Sequence, residues 1–129
     1  MIVLDGAAAV DYLAGLEHGE WVEAQLDGEA DVHVPHVLDL EVVSAFRRLV
    51  ALGMLSRRRA EEAIADLAEL AARRYGHLIL LDRIWQLRTH VTPYDAAYIA
   101  LAEALGATLV TTDVRLARAH GHRARIVAP

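Results

Sequence analysis

The sequence contains no cysteine, so disulfides, thiolate metal sites and cysteine nucleophiles are excluded, and any metal must be held by oxygen or imidazole. It contains no lysine either: all 13 of its basic residues are arginine. Aromatic side chains make up only 5% of the chain, too few for an extended base-stacking platform, so Trp21, Trp85 and Tyr75 are assigned to packing. Long apolar runs are also missing. The opening stretch Met1 to Leu4 is broken by Asp5, which is too short for a signal peptide or a membrane span, and a cytoplasmic protein without a membrane partner is expected. No repeat, low-complexity tract or Pro/Gly/Ser linker divides residues 1–129, so the chain reads as one domain. With 55% hydrophobic residues it can bury a core without staples.

The formal net charge of -5 argues against nucleic-acid binding by bulk positive charge. Arginine is nevertheless clustered, at Arg47-Arg48, Arg57 to Arg59 and Arg73-Arg74, then at Arg115, Arg118, Arg123 and Arg125. Guanidinium groups suit bidentate contact with phosphate, and they serve equally as solvated surface cations.

Short apolar runs alternate with helical patterns. Ile2 to Leu4, Val32 to Val34, Leu78 to Leu81, Leu109-Val110 and Ile126-Val127 read as buried strands. That order predicts an α/β fold, a parallel sheet flanked by helices on both faces. Helices are expected over Ala7 to Ala14, Glu20 to Leu26, and His36 to Leu52, the last with Leu38, Val42, Ala45, Phe46 and Leu49 on one side. Ser56 caps a helix whose stripe is Ala60, Ile64, Leu67 and Ala71. Thr92-Pro93-Tyr94-Asp95 opens another: a threonine cap, a proline in the first helical position and an acid three residues after the cap. Gly106 closes it, and Asp113 precedes a short helix to Ala119.

The acids fall in informative places. Asp5 directly follows the first strand, and Asp113 follows Leu109-Val110 after Thr111 and Thr112. Ligands of open α/β sheets bind at the carboxyl ends of strands, where the strand order reverses. Asp95 belongs to a helix N-terminus and Glu41 to the first turns after the second strand, so all four can converge on one edge. Gathered carboxylates repel one another and call for a cation; hard divalent ions such as Mg²⁺ or Mn²⁺ prefer such oxygen donors and suit phosphodiester hydrolysis. A second reading is open for each acid: Asp5 and Asp113 as N-caps, and Asp95 as the acid of a capping box. Periodicity alone does not choose between Glu41 and its neighbour Asp39.

Four segments in order resemble the PIN domain, and specifically the VapC toxins of VapBC toxin–antitoxin pairs. They are Ile2-Val3-Leu4-Asp5; Val34-Pro35 through Leu40-Glu41-Val42 to Ala45-Phe46-Arg47-Arg48-Leu49; Thr92-Pro93-Tyr94-Asp95-Ala96-Ala97-Tyr98 to Ala102; and Leu109-Val110-Thr111-Thr112-Asp113 to Leu116. The resemblance implies a metal-dependent endoribonuclease in which Asp5, Glu41, Asp95 and Asp113 bind Mg²⁺ or Mn²⁺. It selects Glu41 over Asp39, and it names Thr112 as a supporting hydroxyl. It further implies an RNA substrate, a VapB-type antitoxin whose C-terminal segment packs along the toxin, and a homodimer. Many members carry serine or threonine two residues after the first aspartate, where this chain has Ala7, which removes a possible supporting donor.

Rival readings fit less well. A phosphorelay receiver domain has similar length and strand-end aspartates, yet it uses a lysine that this sequence lacks. A dinucleotide-binding domain requires a G-x-G-x-x-G after a strand, and there is none. A catalytically weak or inactive PIN fold that binds RNA or a partner is the remaining alternative. His120 and His122 have no adjacent third ligand and are not assigned to a metal; His90 is assigned to the surface, and Tyr98, one turn after Asp95, to the lining of the cleft.

Overall fold

The computed structural model describes residues 1–28 and 31–129. Its centre is a five-stranded sheet built from β1 (Ile2–Leu4), β2 (Val32–Pro35), β3 (Ala72–Tyr75), β4 (Thr108–Val110) and β5 (Arg125–Val127), in the order β3-β2-β1-β4-β5. Every pairing is parallel, as the alternation of apolar runs and helical patterns predicts. Parallel strands need crossovers, and these are helical: α1 (Gly6–Ala14) and α2 (Gly19–Leu26) join β1 to β2, while α3 (Val37–Ala51) and α4 (Arg57–Glu69) join β2 to β3. The return to β4 runs through a 3-10 turn (Leu78–Leu80), α5 (Leu81–Gln86) and α6 (Pro93–Leu105), and α7 (Val114–Ala117) joins β4 to β5.

Right-handed crossovers fix which face each helix covers. The chain moves outward in one direction from β1 through β2 to β3, then jumps back past β1 to β4 and β5, so α1 to α4 cover one face and α5 to α7 the other. The packing agrees: α1 touches α2, α3 and α4, whereas α5 packs on α6, which lies across β1, β2 and β4. The direction of winding reverses between β1 and β4. There the loops leaving the two strands diverge and open a crevice.

The core explains the strands. Val3, Leu4, Val34 and Leu109 are fully buried, because both sheet faces are covered. Around them pack Leu38, Val42 and Phe46 of α3 and the continuous buried run Ala96 to Ala102 of α6. Local signals terminate the helices as expected. Ser56 Oγ accepts from the Arg59 amide at 3.1 Å, Thr92 Oγ1 accepts from the Asp95 amide at 3.2 Å, and Gly106 closes α6 with φ 64°, the left-handed conformation that favours glycine.

Three sequence expectations are corrected. The run Leu78 to Leu81 is not a strand: it forms the 3-10 turn and the start of α5, with Leu78 and Ile79 82% and 81% exposed and only Leu80 buried. The place beside β2 belongs to Ala72–Tyr75, whose arginines mask it as a polar segment. The apolar stripe of α4 is Ala60, Ala63 and Leu67, while Ile64 is partly exposed and Ala71 lies beyond the helix end. The last helix is also shorter than expected, ending at Ala117.

Candidate active site

The crevice between β1 and β4 collects the acids. Asp5 leaves the end of β1, where its amide donates to the Val110 carbonyl of β4 at 3.0 Å. Asp113 stands three residues beyond β4, Glu41 in the second turn of α3, and Asp95 in the first turn of α6. Four chain segments meet at one edge.

Asp5 occupies the N-cap position of α1 but makes no side-chain capping hydrogen bond. Its carboxylate instead accepts from the Thr111 hydroxyl at 2.6 Å, and the side chain is almost wholly buried. Burial is the main force on it, lifting the carboxyl from its ordinary 3.8 to about 7; the Thr111 hydrogen bond opposes this, and the charges of Asp95 and Glu41 add to it. Glu41 is also raised, by burial first, against the hydrogen bond from Tyr98 and with the charge of Asp95. Asp95 is raised by burial and then by Asp113, with Arg115 and Thr92 pulling it down. The structure thus brings Asp5, Glu41 and Asp95 into mutual electrostatic contact and sets Asp113 against Asp95. Asp113 is in addition a true cap, its Oδ1 accepting from the Arg115 amide at 2.8 Å.

Two hydroxyls organise these acids. Thr111 is fully buried; besides holding Asp5 it accepts from the Asp113 amide at 2.9 Å, so one side chain ties two of the acids together. The hydroxyl in contact with Asp5 is that of Thr111, while Thr112, expected as a supporting hydroxyl, lines the cavity described below. No sequence signal separates the two adjacent threonines except strand alternation, which turns one of them inward. Tyr98, also fully buried, donates to Glu41 Oε1 at 2.6 Å.

Asp39 is turned elsewhere. It holds Arg74 of β3 through two hydrogen bonds, 2.8 Å and 3.0 Å long, and so joins the sheet edge rather than the site. His122 donates to the Ala119 carbonyl at 3.0 Å, and His90 lies against Gly121. Among the arginines, Arg57 and Arg58 pair with Glu61 and Glu62 one turn on, and Arg59 reaches the Leu13 carbonyl at 2.7 Å. Arg115 lies 3.6 Å from Asp113 at the rim of the acids, 90% exposed.

Beside the acids opens a cavity of about 760 Å³ between α1 and α3. Its apolar wall includes Ala7, Val10, Leu16, Val37 and Leu49, and its polar lining includes Asp11, Glu41, Ser44, Arg48, Tyr94 and Thr112. Ala7, where many relatives of this type carry a hydroxyl by the resemblance above, lines this space.

The donor set suits a hard divalent cation: it is all oxygen, and its carboxyls are pushed upward by burial and mutual repulsion, which a cation would relieve. Among the described residues no three His, Cys, Asp or Glu side chains are drawn close enough to cage an ion on their own.

Comparison with known proteins agrees with this geometry. The profile of the PIN domain matches residues 2–121. Ribonuclease VapC12 of Mycobacterium tuberculosis is 40% identical over 126 residues, covering 98% of this chain and 97% of that protein. Ribonuclease VapC1 of the same organism is 45% identical over 120 residues, covering 92% and 90%. Among solved structures, PAE2754 from Pyrobaculum aerophilum superposes with a TM-score of 0.73 at 20% identity, over 97% of this chain and 81% of the other. A sheet whose acids converge at its winding reversal, in a chain so close to these relatives over nearly its whole length, belongs to the PIN-domain family.

Proposed function

We propose that this protein is an endoribonuclease, the toxin of a type II toxin–antitoxin pair, and that Asp5, Glu41, Asp95 and Asp113 are its catalytic acids. The observation that carries the reading is the buried Asp5 carboxylate at the crevice between β1 and β4, held by the Thr111 hydroxyl and within electrostatic reach of Asp95 and Glu41, in a chain 40% identical to a ribonuclease. Asp5, Asp95, Glu41 and Asp113 would hold the metal, Mg²⁺ or Mn²⁺, with Asp5 and Asp95 its principal ligands. When bound, such an ion supplies an activated water and neutralises charge developing on the phosphate.

The chain's own residues do the rest. Thr111 fixes Asp5 and the Asp113 backbone in one arrangement. Arg115, exposed beside Asp113, is placed to meet an incoming RNA phosphate, and Arg48 offers a second cation on the cavity side of Glu41. A bidentate guanidinium contact orients the backbone without reading its sequence.

The partner is a VapB-type antitoxin. The apolar cavity between α1 and α3 suits the C-terminal segment of such a protein, and a basic side chain from it would pair with the acids and silence them. The working form, as the resemblance to the VapC toxins implies, is a homodimer acting in the cytoplasm.

The test is cleavage of total cellular RNA by purified protein, with Mg²⁺ or Mn²⁺ and with chelator, comparing wild type with Asp95→Asn. Discrete fragments that require both the metal and Asp95 support the proposal. Absence of cleavage by folded wild type across metals and RNA classes overturns it in favour of a binding-only PIN fold, with Ala7 the first residue to restore to serine.

A further inference from the structure

Tyr98 is one turn beyond Asp95 on α6, yet its hydroxyl reaches a different acid. It donates to Glu41 Oε1 across 2.6 Å, in the short range of hydrogen bonds to a charged acceptor. The ring is wholly buried, so the hydroxyl has little freedom to turn away. The same arrangement recurs at Asp5, where the buried Thr111 hydroxyl takes Oδ2 at 2.6 Å. Gly6 gives the Tyr98 hydroxyl room: a Cβ there would stand 3.2 Å from that oxygen, which would have to give by a few tenths of an ångström, and in ordinary contact with Glu41 Oε1 at 3.5 Å.

A carboxylate can meet a cation with one oxygen or with both. Large ions such as Ca²⁺ take six to eight oxygens and readily accept both from one carboxylate, whereas Mg²⁺-sized ions require compact octahedral sites. An oxygen engaged by a buried, immobile donor is held toward the interior, and the carboxylate is then a poor chelator. Resting on the nuclease reading above, we propose that Tyr98 is a positioning residue that commits one oxygen of Glu41 to the protein, leaves the other for the metal, and so biases the site toward small divalent cations.

The experiment titrates Mn²⁺ and Ca²⁺ separately into purified wild type and Tyr98→Phe without RNA, following binding by calorimetry and Mn²⁺ by electron paramagnetic resonance. Wild type should bind Mn²⁺ more tightly than Ca²⁺. Tyr98→Phe should weaken Mn²⁺ by roughly tenfold, as loss of a group supporting a ligand does, while Ca²⁺ binding holds or tightens, so the preference narrows. Gly6→Ala crowds the same hydroxyl without removing it and should shift the preference in the same direction, which keeps the idea testable if Tyr98→Phe folds poorly. An equal loss for both ions, or an unchanged preference in both folded variants, overturns the role of Tyr98 and leaves the nuclease reading standing. Wild type that binds neither ion overturns the metal assignment itself, and this proposal with it.

Discussion

Asp39 and Arg74 face each other through two near-parallel hydrogen bonds, 2.8 Å and 3.0 Å long, that pin the first turn of α3 to the edge strand β3. Arg74 reaches on to the Leu67 carbonyl at 3.1 Å, tying the end of α4 into the same joint. Asp39 and Glu41, two residues apart, therefore have opposite employment. Asp39→Ala should lower stability by about 1–2 kcal/mol, the scale of a lost charge-assisted pair, and leave RNA cleavage within a few-fold of wild type. Glu41→Gln should do the reverse, cutting cleavage by about 100-fold or more with little effect on folding. Denaturant titration alongside a cleavage assay checks both; inactivity of Asp39→Ala at full stability would place that acid in the site.

Asp5 sets a pH signature of the metal-free protein. Its carboxyl sits at about 7 in the folded chain, above its ordinary 3.8, so between those values the native state binds the proton that the unfolded state has released. The Asp5 contribution to stability therefore falls as pH rises from about 4 to about 7 and levels off above. Asp5→Asn should remove this dependence and raise both the melting temperature and the stability above pH 7, the latter by something on the order of 2–4 kcal/mol, with the gain vanishing near pH 4. Melting curves across that range, in chelator, measure it. A variant less stable than wild type at pH 8 would contradict the buried, repelled carboxyl.

Thr111 serves two acids with one hydroxyl, so its removal orphans two groups. Thr111→Val should destabilise by about 2 kcal/mol, since the Asp113 amide and the Asp5 carboxylate both lose a buried partner. It should also push the Asp5 carboxyl higher still, because the hydrogen bond is what holds it down. Thr111→Ser keeps the hydroxyl and should recover most of both effects. Titration of Asp5 followed by carboxyl carbon resonance would report the shift, and equal behaviour of the serine and valine variants would rule it out.

At the opposite end of α6, Glu103 clasps the chain behind β4. Its side chain, 6% exposed, receives Arg83 at 2.7 Å and 3.0 Å and the Arg123 amide at 2.7 Å. The Arg83 guanidinium first, then the Arg123 amide and charge, hold its carboxyl below the usual range against the effect of burial. The stability it contributes is present above the ordinary glutamate value of 4.5 and is lost as pH falls through the lowered one. Glu103→Ala should cost about 2–3 kcal/mol at pH 7 and flatten the acid limb of the stability curve. A variant that unfolds in acid along the wild-type profile would assign that limb to other carboxyls.

Most of the scaffold was legible because its signals are local. Ser56, Thr92 and Gly106 mark helix ends by their own chemistry, and β1, β2 and β4 read as apolar runs because both faces of a parallel sheet are covered. The third strand was not legible. Ala72 to Tyr75 lies at the sheet edge, where Arg73 is exposed and Arg74 is satisfied by a residue 35 positions earlier, so nothing nearby announces a strand. Leu78 to Leu81 misled for the complementary reason, being apolar and largely exposed. In the site, the acids were found by their positions after strands and helix starts. The hydroxyls that hold them were harder, since Tyr98 meets Glu41 across 57 residues and Thr111 meets Asp5 across 106.

That last separation bears on how such a chain is made. A ribosome that has delivered β1, β2, α3 and even α6 has yet to deliver β4, the second neighbour of β1, and the threonine that fixes Asp5. Contacts so distant in sequence close late, so Asp5 reaches its final setting only after Thr111 has left the ribosome.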